Sequence, residues 1–401
     1  MVGMKTRMEE FSDWGTEVVF GRAHGFRAWM LCCVLRVASF FFWVLVRMRL
    51  FLFRRQIKTV HYLGTLVVSV GNITAGGTGK TPVVELLAST LAARGRRCAI
   101  LTRGYKSAPL EKPQVWRDAE GRRVRHLPKI ASDGTTRYLS PLYAGDEPFM
   151  LARNLDGVAV LVDKDRVKSG IFAIEQLGSN TLILDDGMQY LKLKHELDIV
   201  LVDCGFPFGT GSLLPRGTMR EPRSSLRRAS YIILTKSGGK PQDELISVIR
   251  RYNKVADIIV TDHVPAYLEN IFTGERRELS FLKGKYVACM SGIARPESFE
   301  VLVENAGAHV EIRRRYPDHY WFDPEDMDAF VERCADRAMD MIVTTEKDAV
   351  RFLKPMETEV PIYFLRIRIE IIRGQKEWDA MVDRICNLAQ PQPAPEWDNV
   401  L

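Results

Sequence analysis

The chain has 401 residues, of which 46% are hydrophobic and 27% are charged, and its formal net charge is +7 at pH 7. This length is enough for two domains with their own cores, and the positive charge allows an anionic partner, although many cytoplasmic enzymes have a similar balance. The seven cysteines are scattered and never in Cys-x-x-Cys spacing, which argues against a disulfide framework or a zinc site and for a reducing compartment.

An apolar segment with an aromatic cluster occupies residues 28–53. Arg36 interrupts it, and its longest charge-free run, residues 37–46, is too short to span a bilayer alone. Because Arg36 and Arg47 are about three helical turns apart, they share one helix face, so an anchor in the membrane interface fits at least as well as a span. We predict a membrane-anchor helix within residues 1–53; a signal peptide and a buried helix of a soluble protein are the alternatives.

Basic residues are more numerous at the C-terminal end of this segment and just after it than before it. The C-terminal side carries Arg47, Arg49, Arg54, Arg55 and Lys58, and the preceding side carries Arg22 and Arg27. By the positive-inside rule, we expect the rest of the protein to lie in the cytoplasm.

A glycine-rich run, residues 71–82, follows an apolar β-branched stretch, residues 66–70, and precedes a stretch with helical periodicity. In a phosphate-binding loop of this kind, backbone N–H groups point at phosphate oxygens, Lys80 reaches the β- and γ-phosphates, and the Thr81 hydroxyl binds Mg²⁺. The strict pattern G-x-x-x-x-G-K-[ST] requires glycine where this chain has Thr74. The run predicts a nucleoside triphosphate site, and a plain glycine turn is the alternative.

Short apolar runs alternate with helical stretches along the first part of the chain. These runs are residues 66–70, 98–101, 158–162, 181–184, 199–202 and 231–234. The alternation predicts an α/β fold of the P-loop NTPase type with a mainly parallel sheet. Ligands of such sheets bind at the carboxyl ends of the strands, which here are followed by Asn72, Arg103, the pair Asp185-Asp186, and Asp203.

The later patterns predict how the chain is divided. Residues 108–136 are irregular and basic, as in a surface insertion, and two extended pieces around a Thr-Gly-Glu turn suggest a hairpin before a second α/β unit. The predicted segments are an N-terminal extension with the anchor helix (1–53), a P-loop core domain (54–257), a β-hairpin linker (258–282), a smaller C-terminal α/β domain (283–389) and a disordered Pro-rich tail (390–401).

Two acidic pairs are candidates for chemistry. Asp185 and Asp186 follow a buried strand, where a P-loop enzyme needs a carboxylate on Mg²⁺, although Asp-Asp-Gly alone is more often a turn. Asp146 and Glu147 precede a helical stretch. They are either a helix cap with a favourable charge, or the pair of acids that a hydroxyl-phosphorylating site needs, one of which accepts the substrate proton.

Three further places give weaker signals. Arg220 stands beside Glu221 in a Gly/Pro loop. There it either binds a phosphate of the substrate or forms a solvated ion pair with Glu221. His319 has an acidic neighbour, but a lone histidine is usually structural. Lys347 and Asp348 follow the last strand of the second domain, where we expect them to face the cleft between the domains. The guanine-reading Asn-Lys-x-Asp pattern does not occur in this sequence, which mildly favours ATP.

These motifs resemble those of the tetraacyldisaccharide 4'-kinase family, the lipid A 4'-kinases, over residues 40–387. Seven motifs occur in family order: G-N-x-T-x-G-G-x-G-K-T-P (71–82), R-G-Y (103–105), G-D-E-P (145–148), D-D-G-x-Q (185–189), P-x-G-x-x-R-E (215–221), D-H (318–319) and T-E-K-D (345–348). The family usually has threonine at the position of Thr74. The chain differs from the family before Trp29, in residues 108–136, and at Lys106-Ser107.

The resemblance implies transfer of the γ-phosphate of ATP, with Mg²⁺, to the 4'-hydroxyl of a tetraacyldisaccharide 1-phosphate, which gives lipid IVA for lipopolysaccharide core-lipid biosynthesis. A substrate that stays in the bilayer explains the anchor and implies the cytoplasmic face of the bacterial inner membrane. We infer neither a nucleic-acid partner nor an obligate protein partner. A membrane-associated P-loop NTPase switch or transport motor is the alternative function.

The predicted site combines the residue patterns with the resemblance. We expect Asp146 to be the general base and Lys80 to stabilise the transferred phosphate; by resemblance, His319 supports that base or closes the second domain over the nucleotide. The nucleotide-binding residues are Thr74, Gly76, Gly77, Thr78, Gly79, Lys80, Thr81, Lys347 and Asp348. The magnesium ligands are Thr81, Asp185 and Asp186, and the resemblance implies that Asn72, Arg103, Glu147, Gln189, Arg220 and Glu221 bind substrate.

Overall fold

The computed structural model describes residues 14–318, 320–352 and 358–388. The chain folds into two compact units. Unit 1 draws its described residues from Met1–Lys80, Leu184–Thr261 and Ile371–Leu401, and unit 2 from Thr81–Ile183 and Asp262–Glu370. The consecutive domain boundaries of the sequence analysis stay a prediction, and the predicted tail 390–401 lies outside the described residues.

Helices and strands alternate along the chain. In order they are α1 (Phe26–Arg54), β1 (Leu66–Asn72), α2 (Lys80–Ala93), β2 (Cys98–Thr102), β3 (Lys129–Asp133), α3 (Pro141–Ala144), α4 (Asp146–Asn154), β4 (Ala159–Val162), α5 (Arg166–Leu177), β5 (Thr181–Asp185), β6 (Leu197–Asp203), β7 (Tyr231–Thr235), α6 (Asp243–Arg250), β8 (Asp257–Asn270), β9 (Arg276–Arg277), β10 (Tyr286–Ser291), α7 (Pro296–Asn305), β11 (His309–Arg315), α8 (Pro324–Asp336), β12 (Met341–Thr345), α9 (Glu346–Ala349), β13 (Ile362–Arg373) and α10 (Gln375–Asn387).

Helix α1 begins after Gly25 and runs for 29 residues without a break. At 1.5 Å per residue it is about 44 Å long. Within the described ranges it is the one helix that is long and apolar enough to cross a membrane by length and composition, a test that signal sequences also pass. The apolar segment predicted from the sequence is therefore a single continuous helix.

Unit 1 contains the first part of β8 (257–261) and the parallel strands β7, β6 and β1, in this order. Their register aligns Val70 with Ile199, Ile199 with Tyr231, and Tyr231 with Asp257. The strands are runs of valine, isoleucine and leucine, as expected for parallel strands that are buried on both faces. Because all four run the same way, the residues at the ends of β1, β6 and β7 lie along one edge, where the site is built.

The first part of unit 2 pairs β2 with β4 in parallel and β3 with β4 antiparallel. Strand β3 falls inside residues 108–136, which we predicted to be irregular. The strand is short and its apolar centre is only two residues, Ile130 and Ala131, so it carries no clear period. Lys129 begins it, and its ammonium donates to the carbonyls of Ala108 and Tyr143 at 2.6 and 3.1 Å, which ties the strand to the residues around it.

The second part of unit 2 contains the parallel strands β11, β10, β12 and β13, in this order. Alternate residues of these strands enter two separate cores, as the two-residue period of a strand requires. Val287 and Val343 pack with Phe299 of α7, whereas Ile342 packs with Phe330 of α8. This arrangement is the helix-covered parallel sheet that the apolar runs predicted.

Strands β8 and β9 lie in the segment predicted to be a hairpin and pair antiparallel, with Leu268 opposite Arg277. Asn270 stabilises the turn between them, because its Oδ1 accepts hydrogen bonds from the N–H groups of Phe272 and Thr273, both at 3.0 Å. Gly274 supplies the positive φ of 72° in this turn. The mainly parallel α/β fold with an apolar N-terminal helix is confirmed.

Candidate functional site

The glycine-rich loop joins β1 to α2 and is held in place by neighbouring side chains. Asn72, the last residue of β1, donates from Nδ2 to Thr78 Oγ1 at 2.9 Å, and the Thr235 hydroxyl donates to the Thr78 carbonyl at 2.8 Å. Gly76 and Gly79 have φ values of 113° and 76°, which glycine adopts without strain. A Cβ added at Gly76 would meet no atom within 4 Å, so the protein leaves the loop backbone accessible there.

Thr74 occupies the position at which the strict phosphate-loop pattern has glycine. Its side chain is buried, and Asn72 Nδ2 lies 3.5 Å from its Oγ1. Its backbone forms an antiparallel bridge with Met219, and the next N–H, that of Ala75, donates to the Thr218 carbonyl at 2.6 Å. The loop therefore rests on residues 218–219 of the P-x-G-x-x-R-E motif. This contact does not require a positive φ at position 74, so threonine can occupy that position.

Two cations meet the carboxylate of Asp186. Lys80, the first residue of α2, places Nζ 3.5 Å from Asp186 Oδ1, and Arg220 donates to Asp186 Oδ2 at 2.6 Å. Burial alone would raise the pKa of Asp186, but Lys80 and Arg220 outweigh burial and hold this pKa below its ordinary value. The carboxylate is therefore an anion between two cations, and both cations are also suited to phosphate oxygens.

The Asp-Asp-Gly turn lies directly against the end of β1. Asp185 ends β5 and is 3% exposed, and the N–H of Gly187 donates to the Val70 carbonyl at 3.1 Å. A Cβ added at Gly71 would lie 2.7 Å from Met188 Cβ, closer than real Cβ atoms approach. Glycine at position 71 is therefore what lets the acidic turn pack beside the phosphate loop.

Arg220 and Glu221 are neighbours in sequence but have different partners. Arg220 pairs with Asp186, whereas the buried Glu221 accepts hydrogen bonds from Gln189 Nε2 at 3.1 Å and from Arg228 at 2.9 Å. Gln189 also donates to the Asn72 carbonyl at 3.0 Å. Instead of a solvated Arg220–Glu221 pair, the structure has two separate ion pairs, and Gln189 links the acidic turn to β1 and to Glu221.

Two residues of this cluster were missed in the sequence. Lys236 follows β7, donates to the Gly77 carbonyl and pairs with Asp203 Oδ2 at 2.8 Å. The rule that drew attention to Asp203, a polar residue after a parallel strand, applies equally to Lys236 and would have found it. Arg228 lies in the 3₁₀ turn Arg223–Arg228, and no sequence signal marks it.

A second group of charged residues lies within unit 2. Asp146 is the first residue of α4 and follows the N-cap, Gly145. Its Oδ2 pairs with Arg351, at 2.9 Å from Nε and 2.8 Å from the second terminal nitrogen. Arg351 is completely buried and also binds Asp348 Oδ1 at 2.9 Å. The N-cap is thus Gly145 and not Asp146, which is an acidic residue of the first turn and binds an arginine of the T-E-K-D region.

Asp348 is 0% exposed and accepts hydrogen bonds from the Thr345 hydroxyl at 2.6 Å and from the Gly292 N–H at 3.0 Å. Burial raises the pKa of Asp348, although these donors and Arg351 act in the opposite direction. To contact a nucleotide, Asp348 would have to leave these partners. Its predicted role in nucleotide binding stays a prediction. Lys347 places Nζ 3.1 Å from Asp318 Oδ1.

The remaining predicted residues are more accessible. Arg103, after β2, is exposed, and Thr81 and Glu147 are half-buried. His319 lies outside the described residues. Unit 1 thus brings together Asn72, Thr74, Gly76, Gly77, Thr78, Gly79, Lys80, Asp185, Asp186, Gln189, Arg220 and Glu221. Unit 2 carries Thr81, Arg103, Asp146, Glu147, Lys347 and Asp348.

Known proteins match nearly all of the chain. The family model described as tetraacyldisaccharide-1-P 4'-kinase matches residues 31–387. A tetraacyldisaccharide 4'-kinase of Anaeromyxobacter sp. (strain K) is 37% identical over 350 residues, 86% of this chain and 88% of the relative. One of Syntrophus aciditrophicus (strain SB) is 38% identical over 363 residues, 87% of this chain and 91% of the relative.

A solved structure is also similar. It is that of LpxK from Aquifex aeolicus, described as an "apo" form in complex with ATP, and it is 27% identical with a TM-score of 0.68 over 88% of this chain and 99% of that one. The order of the motifs, the family match and these relatives agree, and the chain belongs to the tetraacyldisaccharide-1-P 4'-kinase family.

Proposed function

We propose that this chain transfers the γ-phosphate of ATP to the 4'-hydroxyl of a tetraacyldisaccharide 1-phosphate, which gives lipid IVA. Family membership over residues 31–387 supports this reaction. The observation that carries it is the convergence of Lys80, Arg220 and Asp186 beside the glycine loop. Phosphoryl transfer depends mainly on positioning and on neutralising charge, and this cluster offers both.

The donor set fits ATP and Mg²⁺. Open space beside Gly76 leaves room for phosphate oxygens, and the carboxylates of Asp185 and Asp186, with the Thr81 hydroxyl, are the oxygen ligands that Mg²⁺ prefers. In our proposal the loop amides and Lys80 bind the phosphates. When bound, ATP supplies the phosphoryl group and Mg²⁺ offsets the charge that develops on it.

Asp146 is our candidate for the group that accepts the proton of the acceptor hydroxyl. Arg351 holds its carboxylate in one orientation, and a general base must be oriented toward the proton that it removes. The resemblance adds His319 as a support for this base, and Lys347 and Asp348 as nucleotide contacts. These roles stay proposals.

In our proposal polar residues and the lipid environment hold the acceptor. We propose that the substrate contacts are Asn72, Arg103, Glu147, Gln189, Arg220 and Glu221. A lipid substrate fits this family, and the exposed apolar and aromatic side chains of α1 suit a membrane surface. We propose the cytoplasmic face of the bacterial inner membrane as the location of the enzyme, because basic residues are concentrated at the C-terminal end of α1 and just after it, and ATP is cytoplasmic.

The test is a transfer assay with the purified full chain, ATP, Mg²⁺ and a tetraacylated disaccharide 1-phosphate in detergent, read by mass for one added phosphate. The same lipid without its 4'-hydroxyl is the matched control and should gain none. ATP hydrolysis at full rate without acceptor, and no phosphorylated lipid, would instead support the NTPase switch or motor, which family membership does not favour.

A further inference from the structure

Helix α1 has one covered face and one exposed face. The more buried positions recur at three- and four-residue spacing, as on the packed face of an amphipathic helix. They include the buried Ala28 and the half-buried Cys32, Leu35, Ser39, Phe42, Val46, Leu50 and Phe53. Among the exposed side chains between them are Trp29, Val37, Phe40, Phe41 and Leu45. Most of α1 is exposed, but the helix contacts protein on this less exposed face through Ser39 and Arg49.

Ser39 is the polar residue in the middle of this covered face. Its hydroxyl donates to the Leu213 carbonyl at 2.7 Å and accepts from the Arg216 N–H at 3.0 Å. These two backbone groups begin the P-x-G-x-x-R-E loop. The loop continues through a bond from the Leu214 N–H to the Met219 carbonyl, and then to the Arg220 N–H, which donates to Ile73. The serine thus fixes the start of the loop that carries the Arg-Glu pair.

Arg49 makes a second connection, about three turns further along α1. Its guanidinium donates to the Gln189 carbonyl at 2.9 Å. Gln189 is the last residue of the D-D-G-x-Q motif, and its side chain donates to the Asn72 carbonyl and to Glu221. One helix therefore contacts the backbone of two segments of unit 1 that carry proposed acceptor contacts.

We infer that Ser39 and Arg49 are positioning residues for the lipid acceptor: through them, the seating of α1 on unit 1 sets the geometry of Gln189 and of the loop that carries Arg220 and Glu221. This inference rests on the proposed function. A helix that served only as an anchor would need apolar area and basic flanks, but no hydrogen bonds to these two loops. The hydrogen bonds of Ser39 and Arg49 thereby connect the helix to the loops that carry the proposed acceptor contacts.

The test compares Ser39→Ala and Arg49→Gln with the wild-type full chain in detergent micelles, where membrane binding does not limit the rate. We expect each variant to lower kcat/KM for the lipid acceptor by about tenfold, as the loss of a hydrogen bond to a positioned group does, while KM for ATP stays the same. Ser39→Thr keeps the hydroxyl and should recover most of the activity. Ser89→Ala, a helical serine that bonds only within α2, and Arg54→Gln, at the end of α1, are the matched controls.

Unchanged acceptor kinetics in both variants would overturn the inference. So would an equal loss in the controls, or a rise in KM for ATP together with a lower Tm, because these would mean that the residues only stabilise the fold. The proposed function is judged separately and first, by whether the wild type phosphorylates the disaccharide at all.

Discussion

At the scale of single residues, Lys80 and Asp146 should fail in different ways. Lys80→Ala removes a cation from the transferred phosphate and should lower transfer by about 10²–10³-fold and weaken ATP binding. Asp146→Asn keeps the volume and the contact with Arg351 but removes the base, so transfer should fall by about 10²–10⁴-fold with ATP affinity within a few-fold of wild type. Single-turnover rates and binding of a fluorescent ATP analogue separate the two. If Asp146→Asn instead turned over normally and bound ATP poorly, Asp146 would not be the general base.

The pKa of Asp186 gives stability a defined pH dependence. The folded-state pKa lies below the ordinary value of 3.8, so the carboxylate contributes stability above pH 3.8 and loses it as pH falls through the folded pKa. Arg220→Gln removes one cause of the shift. The stability difference between wild type and variant should be largest near neutral pH and shrink below about pH 4 in urea unfolding curves. Arg117→Gln, which removes a hydrogen bond to a carbonyl, should show no pH-dependent difference.

Arg351 is the residue whose loss should destabilise unit 2 the most. Its guanidinium is completely buried between Asp146 and Asp348, so Arg351→Met leaves two buried carboxylates without their cation. The expected loss is about 3–5 kcal/mol in denaturant unfolding, with a smaller loss for Arg351→Lys. Arg122→Ala breaks a surface pair in which the arginine is largely exposed and Asp118 is half-buried, and should destabilise the protein far less than Arg351→Met. A stable Arg351→Met protein would show that the buried network can be replaced by apolar packing.

At the scale of elements, the junction of β1 with the acidic turn requires a residue without a side chain at position 71. Gly71→Ala would force a Cβ to within 2.7 Å of Met188 Cβ and 2.8 Å of its backbone nitrogen. Because overpacking typically costs about 1–3 kcal/mol, we expect a lower Tm and a displaced Asp-Asp-Gly turn, with lower ATP affinity. Gly77→Ala makes the same chemical change where no atom lies within 4 Å, so the unliganded protein should keep its Tm. Equal Tm values for the two variants would contradict the packing argument.

The elements that could be predicted from sequence are those with a local signal. The strand, glycine loop and helix from β1 to α2 are consecutive, and the apolar runs of β10 and β12 are too regular to miss. The partners of the charged residues carry no local signal: Asp146 and Arg351 are 205 positions apart, and the fold alone brings them together. Strand β3 escaped prediction because two apolar residues between basic and acidic ones do not reveal a period.

At the scale of the whole molecule, charge and apolar surface are concentrated on one helix. The exposed aromatic side chains of α1 lie among arginines, and Arg47 is 5.7 Å from the ring centroid of Trp43. Aromatic rings and basic groups on one helix face suit the boundary between acyl chains and anionic headgroups. Helix α1 carries five arginines and no acidic residue, a local excess of positive charge that composition alone does not reveal.

This arrangement predicts how the enzyme binds vesicles. Each basic residue near an anionic surface contributes about 1 kcal/mol, so Arg36→Gln with Arg47→Gln should weaken binding to vesicles containing anionic lipid by about tenfold or more and leave binding to neutral vesicles little changed. Arg123→Gln with Arg125→Gln removes the same charge from exposed positions in unit 2 and is the matched control. Co-sedimentation at low and high salt measures the effect, which added salt should reduce because it screens surface charge. If both pairs weaken binding equally, net charge rather than the face of α1 directs the protein to the membrane.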